Sequence, residues 1–110
     1  MNQQEINEGK TLAFVSYLTI IGTIIAYFMN NDKKNPFIGF HTRQSLGLWL
    51  TYFVLGWVIS AVDSWYATLA FWIFFSVLFI FGIVSALGGK SQPVPLLGDL
   101  FQKWFSSIGQ

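Results

Sequence analysis

Three long apolar runs constrain this chain more than any other feature of its sequence. They cover residues 11–29, 40–60 and 65–87 of a 110-residue chain that is 54% hydrophobic and only 10% charged. About 20 residues of helix, at roughly 1.5 Å each, cross the hydrocarbon core of a bilayer. The sequence therefore predicts an all-α integral membrane protein, a single membrane domain over 1–110 with three transmembrane helices.

Short polar breaks separate these predicted spans. Proline disfavours helix at the residue before it and is tolerated at the first helical position, so Asn35-Pro36 predicts that the second helix begins at Pro36 or Phe37. Val62-Asp63-Ser64 is long enough only for a tight helical hairpin. Gly88-Gly89 ends the third helix, because glycine favours the backbone conformation that closes a helix.

The C-terminal tail predicts a short helix with two different faces. Apolar side chains of residues 97–108 follow one stripe and polar side chains follow the other, at helical spacing. The segment is too short to span a membrane, so we expect an amphipathic helix that lies in the interface. Trp104 and Phe105 would anchor it among lipid headgroups, and docking of the same face onto a partner is the alternative.

The distribution of basic residues predicts an orientation. In a three-span arrangement, Lys10 stands alone on one side, and the positive-inside rule assigns the richer side to the cytoplasm. We therefore expect a multi-pass protein of a bacterial cytoplasmic (inner) membrane, with its N-terminus outside and its C-terminus cytoplasmic. A net charge of +1 provides no field for binding nucleic acid. The basic residues on the richer side are Lys33, Lys34, Arg43, Lys90 and Lys103.

The sequence offers little for catalysis. All five carboxylates lie outside the predicted spans, and the chain has one His and no Cys. An intramembrane acid or base is expected in a proton relay or a membrane enzyme, and one His cannot form a zinc site alone. We therefore predict no enzymatic activity, no cofactor and no metal.

The segment 30–45 contains the best candidates for contacts with lipid or with a partner. On a helix, His41 and Gln44 share one face and would bond to the first or third helix, whereas Arg43 points away and would reach lipid phosphate or another subunit. A simpler interpretation is a polar helix entry anchored by positive charge. The candidate contact residues are Lys33, Lys34, Phe37, His41, Arg43 and Gln44.

The stretch NPFIGFHTRQSL, placed between two spans and followed later by Gly-Gly and prolines, resembles a known family. It is similar to the Tic-twenty-like small bacterial membrane proteins, relatives of the chloroplast inner-envelope protein-import component. The resemblance implies a membrane fold over about 8–95 and, by way of the plastid relatives, a link to protein import. The matching residues are Lys34, Pro36, Phe37, Phe40, His41 and Gln44, with Gly88 and Gly89 as further support.

These observations predict a small multi-pass membrane protein that works as an oligomeric or partner-associated component of a transport or translocation assembly. Three apolar spans cannot line a wide aqueous path alone, so this function requires further copies or another membrane protein. The alternative is an accessory or regulatory membrane module that binds lipid headgroups or a partner membrane protein through its basic cytoplasmic rim.

Overall fold

The computed structural model describes residues 2–108, and that part of the chain is helical, with no strand among those residues. The all-α prediction is therefore confirmed. The five helices of this range are α1 (Gln3–Leu18), α2 (Ile20–Lys33), α3 (Pro36–Ser60), α4 (Trp65–Leu87) and α5 (Gly98–Trp104).

The predicted first span over 11–29 is wrong as a single helix, because the chain breaks at Thr19. This residue is extended (φ −153°, ψ 166°), and its hydroxyl accepts from the Gly22 N–H at 3.0 Å, which caps the start of α2. A Cβ added at Gly22 would lie 2.1 Å from the carbonyl oxygen of Val15, so only glycine permits α2 to turn back this closely against α1.

The two short helices form an antiparallel hairpin with its tip at Thr19. Asn35, just beyond the end of α2, donates from Nδ2 to the carbonyl oxygen of Glu5 near the start of α1, at 2.7 Å. Asn30 closes the connection to α3, since its side chain bonds both the backbone N–H and the backbone carbonyl of Asn35. The beginning of α1 and the end of α2 therefore lie at the same end of the molecule.

The predicted boundaries of the other two long helices agree with the structure. Asn35 caps α3 by accepting from the backbone N–H groups of Phe37 and Ile38, and proline occupies the first position of α3. Residues 61–64 make the predicted tight turn, and α4 covers the predicted third span.

The prediction of three transmembrane helices is not confirmed. Within residues 2–108, α4 (Trp65–Leu87) is the one helix long and apolar enough to cross a membrane, with a mean hydropathy of 2.5. α1 and α2 have 16 and 14 residues and are shorter than a bilayer core requires. α3 has 25 residues, but its polar first turns lower its mean hydropathy.

The C-terminal helix is shorter than predicted and is docked on the protein. α5 has 7 residues, and 105–108 form turns. The ring of Phe101 lies directly over Gly47 of α3, where an added Cβ would be 2.3 Å from the ring. Trp104 remains 65% exposed and Phe105 is half-buried, so part of the apolar face contacts α3 and part faces outward.

The core lies between α1, α3 and α4, in the half of the molecule that also holds α2 and α5. Around the α3–α4 turn, in contrast, large apolar side chains face outward: Trp57 is 79% exposed and Tyr66 is 82% exposed. The main buried apolar cluster consists of Ala13, Tyr17, Phe37, Leu48, Leu78, Ala86, Val94 and Phe101.

Candidate functional site

A buried network of hydrogen bonds joins α1 to α3. His41 Nε2 lies 2.8 Å from the carbonyl oxygen of Lys90, and a carbonyl can only accept, so Nε2 carries the proton. His41 Nδ1 then accepts from the hydroxyl of Tyr17, at 2.7 Å. The same hydroxyl accepts from Gln44 Nε2, at 2.9 Å. All three side chains are buried, so the network is sealed from solvent.

Gln44 extends this network to the segment that follows α4. Its Oε1 accepts from the backbone N–H of Val94 at 2.8 Å, and its Nε2 also donates to the carbonyl oxygen of Gln92 at 3.3 Å. Together with the His41 bond, these contacts hold residues 90–94 against the helices. Both ring nitrogens of His41 and both amide atoms of Gln44 are engaged by neutral groups, which is the arrangement that a buried polar cluster requires.

The helical spacing of His41 and Gln44 correctly placed them on one face. Tyr17, the residue at the centre of the network, was not among the predicted site residues, because it lies within an apolar run and has no distinctive neighbours. The available signal was its chemistry, since a tyrosine buried in a helix core requires a partner for its hydroxyl.

Arg43 lies on another face and holds the C-terminal segment. Its Nε donates to Gln102 Oε1 at 2.7 Å, and its Nη1 donates to the carbonyl oxygen of Ile108 at 3.0 Å. Gln102 in turn donates from Nε2 to the carbonyl oxygen of Phe40, at 2.9 Å. These bonds fix α5 and the following turns beside the first half of α3.

The other candidate residues differ in exposure. Lys33 and Lys34 are exposed at the end of α2, where Lys34 adopts a left-handed conformation (φ 49°) and its backbone N–H donates to the Asn30 carbonyl. Phe37 is fully buried and meets the His41 ring edge-on, with ring centroids 4.7 Å apart. Phe37, His41 and Gln44 thus contact the protein itself, and a role for the six residues in binding lipid or a partner stays a prediction.

The site contains no arrangement suited to a metal ion in the described part of the chain. No group of three or more His, Asp or Glu side chains among residues 2–108 is placed to hold one. The single His is already bonded through both ring nitrogens.

Comparison with known proteins identifies the family. Residues 8–101 match the sequence profile of the magnetosome magnetite crystal formation protein family. The chain is also similar to a UPF0132 membrane protein of Methanocaldococcus jannaschii, with 26% identity over 80 residues that cover 71% of this chain and 57% of the relative. The chain thus spans little more than half the length of that curated relative. No solved structure gives a significant match.

These matches overturn the resemblance to the Tic-twenty-like family, to which nothing in them points. The physical reason is that the residues behind that resemblance serve local structural purposes: Pro36 begins a helix, and His41 and Gln44 satisfy a buried tyrosine and nearby backbone groups. Such a motif describes how a helix is entered and does not define a family. The profile match covers most of the chain, and the protein belongs to the magnetosome magnetite crystal formation protein family.

Proposed function

We propose that this protein is a non-enzymatic accessory module of a bacterial cytoplasmic membrane that works by associating with itself or with another membrane protein. The observation that carries the proposal is the separation of charge from apolar surface. All six Lys and Arg residues and four of the five carboxylates belong to the half that contains α1, α2 and α5, here called the charged half. The half around the α3–α4 turn, here called the turn half, contains Asp63 as its one charged residue, and its outer surface is mostly apolar or aromatic.

The outer surface of α4 supports insertion into a membrane. Its large apolar side chains face outward along its whole length, from Trp72 (52% exposed) to Val84 (63% exposed). A soluble monomer rarely exposes apolar patches of this extent, because water orders unfavourably around them. Lipid would cover this surface, and α3 pairs with α4 as the second crossing helix.

The hairpin of α1 and α2 would enter the membrane to about half its depth. Thr23, one turn past the hairpin tip, has its hydroxyl 3.3 Å from that of Ser45. Ser45 lies about 14 Å along α3 from Pro36, at roughly 1.5 Å per residue. A helix break at this depth requires internal partners for its backbone, and the side chains of Thr19 and Thr23 supply them through bonds to Gly22 N–H and to the Ser16 carbonyl.

The hairpin favours a different side of the membrane for the N-terminus from the outside location predicted from the sequence. The predicted exit of the N-terminus to the opposite face depended on a continuous first span and does not follow from a hairpin. Lys10 lies beside Gly89, close to Lys90. Lys10, which the three-span arrangement placed alone on one side, therefore lies on the same side as the other basic residues. The positive-inside rule then favours a cytoplasmic location for the whole charged half, including both terminal segments, with Asp63 on the far side.

A non-enzymatic role is supported by the state of the buried polar groups. His41 and Gln44 are fully engaged with neutral partners, so neither has a free atom to offer a substrate. The family description concerns magnetite crystal formation. Asp63 is the one carboxylate that the turn half presents, which is too few ligands for iron from a single chain. We therefore propose that the chain contributes by organising proteins in its membrane and not by binding mineral directly.

A second candidate function is a component of a transport or translocation assembly. The half-depth hairpin favours it, because helix breaks within a membrane are tolerated where they are buried in protein or line an aqueous cavity. In this case several copies, or a partner, would have to complete the path.

Cysteine labelling tests the membrane arrangement, since the chain has no native Cys. Single variants Gln4→Cys, Asp32→Cys and Asp63→Cys would be treated with a membrane-impermeant maleimide in intact spheroplasts and in inverted vesicles. We expect the first two to react only in inverted vesicles and the third only in spheroplasts. Labelling of Gln4→Cys and Asp32→Cys on opposite sides would contradict the hairpin.

Association is tested by a photo-crosslinking residue at an outward position of each helix of the turn half. Trp57 on α3 and Trp72 on α4 are both exposed and lie outside the buried network. The proposal expects a crosslinked protein band from at least one of them, either a dimer of this chain or a complex with another membrane protein. Adducts with lipid alone from both positions would contradict it.

A further inference from the structure

A groove in the charged half contains a buried polar atom that the protein leaves without a partner. Thr42 is 1% exposed, and its hydroxyl makes no hydrogen bond. Leaving a buried hydroxyl unpaired costs about 1–3 kcal/mol, so native structures rarely do so without a bound molecule or water at the site. Thr42 lines a groove of about 200 Å³, here called the Thr42 groove.

The rest of the groove is mostly apolar, and its outer wall is exposed. α2 forms one wall and the first half of α3 forms the floor, while the C-terminal segment closes one side through Ile108. Phe28 and Ile24 on the outer wall are 65% and 48% exposed, so the groove opens on an exposed apolar surface, which the proposed function places in lipid. The other lining residues are Thr23, Tyr27 and Leu46.

Beside the groove, Arg43 provides a positive charge that no carboxylate of residues 2–108 neutralises. Its two bonds go to neutral oxygens of Gln102 and Ile108, and Ile108 also lines the groove. A guanidinium has five N–H donors, and bonds within residues 2–108 use two of them. A partly buried charge is costly unless it is paired, and phosphate is the anion that the fork of arginine fits best.

From these features we infer that the Thr42 groove, with Arg43 at its edge, binds one anionic phospholipid. The phosphate accepts from the Arg43 N–H groups that residues 2–108 leave unbonded, an ester carbonyl accepts from the Thr42 hydroxyl, and part of an acyl chain fills the groove. The inference rests on the proposed insertion into a membrane and adds a specific ligand to it. Arg43 lies about 10 Å along α3 from Pro36, at roughly 1.5 Å per residue, and its long side chain extends from there toward the headgroup region.

The dimensions and chemistry favour lipid over the other possible occupants. A helix of a second copy is about 10 Å wide with its side chains and does not fit a groove of about 200 Å³. Free phosphate would satisfy Arg43 but would leave both the apolar walls and the Thr42 hydroxyl without a contact. A phospholipid satisfies all three features.

The test measures lipid retained by the full chain released from nanodiscs of mixed phosphatidylglycerol and phosphatidylcholine, by native mass spectrometry. We expect the unmodified protein to retain one phosphatidylglycerol. Thr42→Val keeps the shape of the side chain and removes the unpaired hydroxyl, so it should fold normally and lose about fivefold in affinity, one neutral hydrogen bond. Arg43→Gln should lose about tenfold or more, because its bond is charge-assisted.

Lys103→Gln is the matched control, since Lys103 is an exposed cation of α5 outside the groove. It should retain lipid as the unmodified protein does. Equal losses in Lys103→Gln and Arg43→Gln would show unspecific attraction by charge and overturn the site, as would unchanged retention in Thr42→Val. If inorganic phosphate stabilises the lipid-free protein as much as phosphatidylglycerol does, the lipid site is overturned and Arg43 binds only an anion.

Failure of this inference is distinguishable from failure of the proposed function. If Gln4→Cys and Asp32→Cys are labelled on one side of the membrane and Asp63→Cys on the other, as expected, then unchanged lipid retention in the groove variants rejects only the lipid site. Labelling of Gln4→Cys and Asp32→Cys on opposite sides rejects the hairpin itself, whatever the lipid result.

Discussion

Replacing Gln44 with leucine should reveal how much the buried network contributes to stability. Leucine has a similar size but removes three hydrogen bonds, to the Tyr17 hydroxyl, the Gln92 carbonyl and the Val94 N–H. Hydrogen bonds between membrane helices average about 0.6 kcal/mol and reach about 1.7. The Val94 N–H would also stay buried without an acceptor, which costs about 1–3 kcal/mol. We expect a loss of about 2–4 kcal/mol in the free energy of unfolding.

The assay is reversible unfolding in mixed micelles, with limited proteolysis as a second measurement. Because Gln44 holds residues 90–94, its loss should expose that segment to cleavage before the helices unfold. Gln92→Leu is the matched control: its side chain is exposed, so the same chemical change should alter stability by less than about 0.5 kcal/mol. Equal stabilities of the two variants, with equal cleavage, would refute the idea that the network holds this segment.

Glycine substitutions distinguish the other close contacts. Gly47→Ala places a methyl 2.3 Å from the Phe101 ring and should undock α5, seen as faster proteolysis of the C-terminal segment with little change in the unfolding of the other helices. Gly82→Ala places its methyl 2.5 Å from the Tyr17 ring and should lower the midpoint of unfolding by disturbing the network, at a cost of about 1–3 kcal/mol. In Gly56→Ala the added methyl lies 3.3 Å from the nearest side-chain atom, so this variant should be tolerated. A midpoint of unfolding as low as that of Gly82→Ala would contradict the view that close contact with Tyr17 makes Gly82 sensitive.

The sequence was sufficient for the elements whose ends are marked by local chemistry. Pro36 marked the start of α3, Asp63 and Ser64 marked the turn, and Gly88 ended α4. The hairpin was missed because one threonine makes the break and its neighbours are as apolar as those of a span. Hydropathy measures how favourably a segment transfers from water into lipid. It carries no information on whether the chain turns within that segment.

The candidate site was predictable as a face and not as a set of bonds. Helical spacing put His41 and Gln44 together and Arg43 elsewhere, because that follows from backbone geometry alone. Their partners are Tyr17 and backbone groups of 90–94, and these approach only after α1 and α4 have packed. A backbone carbonyl has no sequence signature, so no motif search would have found the Lys90 oxygen.

The two halves of the molecule are held by different forces, and this bears on where association occurs. Directional hydrogen bonds fix the charged half, whereas the turn half relies on contacts between aromatic rings, such as Tyr52 against Phe71 and Phe75. Ring contacts tolerate small displacements better than a network does, because their energy depends less steeply on angle than that of a hydrogen bond. A partner helix can therefore pack on the turn half without breaking bonds within the protein, while on the charged half it would have to displace bonded groups. We accordingly expect protein crosslinks from the turn half and lipid contacts from the charged half.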